Sequence, residues 1–201
     1  MLDVFIYNTF KNKGSYNINY LYHSFEMSAD VLFAKLLSRY IFDTYDKTIT
    51  FKDILSLKKV ISDEDYEYVQ KSLPWLEELA KHLTIYDKAL SPNAIYAVTK
   101  EWLKRFGDFV EISEHKEEYV AKNSEDYKVV LIDHVALISG QGSKKEKIDL
   151  TVDYMIGFRN KCNITGILVQ QMNRNSKSME RKLNGYELYQ LDDRGKHKES
   201  N

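Results

Sequence analysis

The run KVVLIDHVALI at 128–138 constrains the fold more than any other part of this 201-residue chain. Its apolar residues are nearly continuous, the pattern of a parallel strand covered on both faces. A strand with one face in water would instead alternate apolar and polar residues. Parallel strands are joined through long crossovers, usually helices. The flanking sequence therefore has to supply strands alternating with helices.

It does so repeatedly. Val4, Phe5, Tyr7 and Phe10 form a helical stripe over 3–12, broken at Gly14, the only glycine in the first hundred residues. INYLYHSF at 18–25 is β-prone and aromatic, a buried strand. A helix over 29–43 follows, capped near Ser28, with Val31, Leu32, Leu36, Leu37 and Tyr40 on one face. Residues 50–82 read as two or three short helices, one starting at Ser62 with Glu64 and Asp65 in its first turn, where the helix dipole favours carboxylates. A brief strand at 83–86 and a helix over 92–106, opened by Pro92, come next. The polar, charged stretch 107–126 reads as an excursion, a hairpin, before the run at 128–138. A glycine- and lysine-containing loop at 140–145, a helix over 147–161 and a strand at 164–169 complete the pattern. Alternating strands and helices predict an α/β fold with a mostly parallel sheet.

Composition narrows the class. Hydrophobic residues make up 43% and charged residues 29%, so the chain has the material for a packed core. No apolar run approaches the roughly 20 residues of a membrane helix, which argues against a membrane span. The single cysteine, Cys162, cannot form an internal disulfide and fits a reducing, cytoplasmic setting; nothing in KCNITG supplies a base to activate it. The net charge of −1 does not decide about nucleic acid, because a local basic lining suffices to hold it. Such a stretch lies at 173–198, where Arg174, Arg181, Lys182 and Arg194 are candidates for phosphate-backbone contacts.

In an open parallel sheet, ligands bind outside the carboxyl ends of the strands. Three polar residues stand at such ends: Glu26 after INYLYHSF, Asp133 within VVLIDH and Gln171 after ITGILVQ. A strand-end Asp alone usually caps a turn, and a lone Glu there is usually solvated. Together the three suit phosphoryl transfer. An Asp can hold Mg²⁺ through water, a Glu can polarise the attacking water, and an amide can sense the γ-phosphate.

The words around these residues carry a resemblance. HSFEMSAD at 23–30 resembles the SLEMSA signature of DnaB-type replicative DNA helicases. VVLIDHVALISG at 129–140 resembles their Walker B segment, VIDYLQLISG, and ITGILVQQMNR at 164–174 their sensor segment, VIALSQLNR. ISDEDYEYVQKSL at 61–73 is similar to their helix LSDEDWERL, and the order and spacing agree. The resemblance covers roughly residues 1–194. It implies a RecA-like P-loop NTPase core and 5′–3′ unwinding driven by ATP with Mg. It further implies single-stranded DNA as a partner, a homo-hexameric ring, and contacts with primase and a helicase loader. Carried over, Glu26 is the catalytic glutamate, Asp133 the Walker B aspartate and Gln171 the γ-phosphate sensor. The sequence departs from the family at His134, where Tyr is usual, and at Gln170, where Ser is usual.

A P-loop reads GxxxxGK[ST], because backbone N–H groups and a Lys cradle the phosphates. No glycine in this sequence starts that pattern; GQGSKK at 140–145 follows the wrong strand with the wrong spacing. The resemblance therefore implies an incomplete domain over 1–201, with a helical and variable excursion at about 44–126. The first strand with its P-loop and the last strands are expected to be missing, and the isolated chain to be inactive. The alternative is a non-catalytic, degenerate RecA-like protein that oligomerises with or binds a helicase or loader.

Overall fold

The computed structural model describes residues 2–57, 59–114 and 116–170. In chain order the elements begin with α1 (Leu2–Lys11), β1 (Asn17–Ser24), α2 (Ala29–Tyr45), α3 (Phe51–Ile54) and α4 (Asp63–His82). They continue with β2 (Leu83–Tyr86), α5 (Pro92–Leu103), β3 (Gly107–Ser113) and β4 (Lys116–Ala121). The last are β5 (Asp126–Asp133), α6 (Lys144–Cys162) and β6 (Ile164–Val169).

β2, β1, β5 and β6 form one sheet in that order, and each neighbouring pair is parallel. Strand side chains alternate between faces, and here each face meets helices. Leu21, Val130 and Ile132 pack with Ile95 and Trp102 of α5 and with Met155 and Phe158 of α6. Tyr20, Tyr22, Val129 and Leu131 pack on the other side with Ile6, Tyr7 and Phe10 of α1, Leu32 and Leu36 of α2, and Leu79 of α4. Burying a Leu or Ile fully contributes about 1.5–3 kcal/mol, so both faces of β5 hold the three layers together. The expected α/β architecture with a parallel sheet is what the chain adopts. β3 and β4 form the expected antiparallel hairpin, and the Lys100 ammonium of α5 anchors it at 2.7 Å from the Glu117 carboxylate.

Several element ends shift by up to three residues, and two stretches differ more from the sequence reading. The strand expected to run to 138 stops at Asp133, and Val135–Leu137 is a single 3-10 turn. Val135 and Ile138 are nevertheless core residues. Their apolar character records burial, not strand geometry, so hydropathy cannot mark the end. The stretch 50–82 is one short turn plus an unbroken 20-residue helix, with Pro74 inside it. An interior proline costs roughly 3 kcal/mol. The next residue offsets this, because Trp75 stacks on Tyr40 at 4.4 Å and 13° and meets Tyr7 and Phe10 edge-on or tilted.

Candidate functional site

Parallel register decides which residues meet at the carboxyl edge of the sheet. Ser24 of β1 lies opposite Asp133 of β5, and Asp133 lies opposite Val169 of β6. β1, β5 and β6 thus end level. Neighbouring strands lie about 4.8 Å apart, so polar residues just beyond these ends share one narrow edge. Glu26 stands two residues past β1, in the loop that leads into α2, and is exposed. Gln170 follows β6 directly and is half-buried. Gln171 lies outside the described residues, as do Arg174, Arg181, Lys182 and Arg194.

The loop carrying Glu26 is held at three points. The Phe25 amide donates to the Asp133 carbonyl at 2.7 Å, extending the β1–β5 ladder by one bond. The Ser24 hydroxyl donates to the Met27 carbonyl at 2.6 Å, which closes the turn around Glu26. The Ala29 amide, at the start of α2, donates to the Asp87 carboxylate beyond β2 at 3.1 Å. Ser28 sits at the N-cap with extended backbone but makes no side-chain cap, so Asp87 takes over part of that task. Met27 packs against the core on the α1 and α2 side.

Asp133 is half-buried, and its Oδ2 accepts a hydrogen bond from the Tyr22 hydroxyl at 3.1 Å. Burial, followed by the charge of Asp133, pushes Tyr22 ionisation well above the ordinary tyrosine range, so the hydroxyl remains a donor. This contact was not legible in the sequence. It depends on Tyr22 and Asp133 facing the same side of two paired strands, which only the register reveals.

Two histidines flank the edge. His23 is fully buried, one residue before the end of β1, stacked on Tyr86 at 5.8 Å and 26°. Neither of its ring nitrogens has a hydrogen-bond partner among the described residues, and burial pushes its pKa down to about 4. It is therefore a neutral side chain at ordinary pH. His134 is also buried, its Nδ1 without a partner among the described residues, in keeping with a packing position. Cys162 is buried where α6 ends, and burial raises its thiol to about 11, so the thiol stays protonated at ordinary pH.

The donor set bears on the kind of metal this edge could take. Among the described residues no group of three or more His, Cys, Asp or Glu is placed to hold an ion. A lone carboxylate such as that of Asp133 is of the kind that suits Mg²⁺ held through water, not an ion ligated by protein alone. No helix among the described residues is long and apolar enough to cross a membrane.

No protein-family model and no curated protein matches the sequence. Solved structures do match. A DnaB-like replicative helicase, solved to describe its interactions with primase, is 19% identical with a TM-score of 0.55, over 79% of this chain and 33% of that one. A second structure, described as an ATPase domain, is 19% identical with a TM-score of 0.59, over 86% of this chain and 52% of that one. The chain thus spans between a third and about half the length of these structures, and its fold is that of RecA-like helicase ATPase domains.

Proposed function

We propose that this chain is part of the ATP-hydrolysing motor of a DnaB-type replicative DNA helicase. The observation that carries the reading is the level pairing of Ser24 with Asp133, which sets Glu26 and Asp133 at one carboxyl edge of a parallel sheet. The words HSFEMSAD, VVLIDHVALISG and ITGILVQQMNR support it in the same order along the chain.

In this reading Asp133 would hold Mg²⁺ through water, and the ion bound with ATP would supply charge neutralisation at the phosphates. Glu26, exposed at the same edge, orients and polarises the attacking water. Gln171 senses the γ-phosphate, and Arg174, Arg181, Lys182 and Arg194 contact the backbone of single-stranded DNA. The working assembly is a homo-hexamer that meets primase and a loader. The excursion at 44–126 belongs to the same domain, since α4 and β2 within it complete the core.

The 201 residues contain no GxxxxGK[ST] string, so the chain alone is expected to turn over little or no ATP. Titrating Mg²⁺·ATP at millimolar concentration into the ¹⁵N-labelled chain tests the site. Amide shifts should cluster at 24–28, 133–134 and 169–171, while phosphate release stays at background. Shifts scattered over the surface would sink the site assignment, and robust Mg²⁺-dependent hydrolysis would sink the predicted inactivity. A second reading, a non-catalytic RecA-like partner of a helicase or loader, draws on the same missing string. It gains if nucleotide leaves the spectrum unchanged.

A further inference from the structure

Asp133 is held at two points by β1 and the residue that follows it, its carboxylate by the Tyr22 hydroxyl and its carbonyl by the Phe25 amide. We infer that Tyr22 is a positioning residue, whose hydroxyl fixes the Asp133 carboxylate so that one oxygen faces the metal side of the edge. The inference rests on the metal role proposed for Asp133.

Geometry supports it in three steps. Tyr22 lies opposite Leu131, two residues before Asp133 on the partner strand, and on the same face. A strand rises about 3.3 Å per residue, so a side chain at position 22 must reach roughly 7 Å along the sheet to meet the carboxylate. A serine there is too short, and a phenylalanine reaches but has nothing to donate. Second, the Tyr22 ring is fully buried in the cluster that includes Leu131 and Leu32, so it has no space in which to swing away. Third, a phenol has a single proton to give, and Asp133 Oδ2 accepts it. That oxygen is committed, and the carboxylate's remaining capacity, centred on Oδ1, is left for a metal-bound water. Since β1 also leads directly into Glu26, one strand sets both carboxylates. Partners that orient a metal ligand in this way typically change metal affinity 10–100-fold when removed.

The experiment uses the full chain with ¹³C-ring-labelled tyrosine and Mn²⁺ as the probe metal. The Tyr22 hydroxyl proton should appear as a slowly exchanging signal and should shift or vanish in Asp133→Asn. Tyr22→Phe keeps the ring and its packing, so its amide spectrum should stay native-like. Paramagnetic broadening of the Phe25 and His134 amides should then need roughly tenfold more Mn²⁺ than in the wild type. If Tyr22→Phe responds to Mn²⁺ as the wild type does while Asp133→Asn does not, the positioning role is refuted and the metal site stands. A hydroxyl signal indifferent to Asp133→Asn refutes the contact itself. Wild-type chain with no broadening at the end of β5 overturns the metal role, and the role of Tyr22 with it.

Discussion

His23 makes the stability of this protein depend on pH in a way that can be calculated. Its imidazole is sealed beneath Tyr86 and Phe25, with no acceptor among the described residues for a proton on either nitrogen. Folding holds its pKa at about 4, against an ordinary 6.5. The unfolded chain therefore takes up the proton first, and stability falls as pH drops. The contribution is complete above pH 6.5, is lost progressively between about 6.5 and 4, and levels off below. The gap corresponds to about 3 kcal/mol at pH 4, a large part of the roughly 5–15 kcal/mol that holds a typical domain together. Urea unfolding followed by Trp75 and Trp102 fluorescence at about pH 7.5 and pH 4 measures it, in wild type and in His23→Leu. Leucine has similar volume and no nitrogens to bury unpaired, so at the higher pH the variant should be at least as stable. Between the two pH values the wild type should lose about 3 kcal/mol more than the variant. His82, whose pKa burial also lowers, and the carboxylates are present in both proteins and cancel in the difference. Equal losses in the two proteins would show that His23 is not buried neutral.

Gly107, at the start of β3, has no room for a methyl group: a Cβ there would lie 2.6 Å from the Val120 carbonyl oxygen and closer still to the Tyr119 ring. Gly107→Ala should lower stability by about 2 kcal/mol and speed hydrogen exchange in the hairpin; unchanged exchange at β4 would count against this packing. Ser143 and Glu146 close a reciprocal capping box on α6, with bonds of 3.2 and 2.7 Å. Ser143→Ala should cost about 1 kcal/mol, seen as a melting temperature a few degrees lower, whereas Ser143→Asp should retain most of it.

Much of the candidate site is legible in the sequence. Glu26 and Asp133 follow apolar strands, and an apolar strand must end where a charged residue can reach water. What the pattern lacked was pairing. Tyr22 reads as one more aromatic in INYLYHSF, and its link to Asp133 exists only because β1 and β5 are neighbours in a particular register. His23 likewise reads as one more residue of that strand, and only the structure shows it sealed on the opposite face from Tyr22. The end of β5 misread for a related reason: Val135 and Ile138 belong to the core without belonging to the strand.

The sequence by itself determined the α/β class, the order of the elements and the candidate strand-end chemistry, because periodicity, caps and turn residues act over a few neighbours. Only the tertiary structure decided the strand order β2–β1–β5–β6, the level edge that joins Glu26 to Asp133, and the hydroxyl that holds Asp133 in place. The β1–β5 pairing and the Tyr22–Asp133 bond link residues more than a hundred positions apart. Their energy comes from packing and hydrogen bonds that no local pattern encodes.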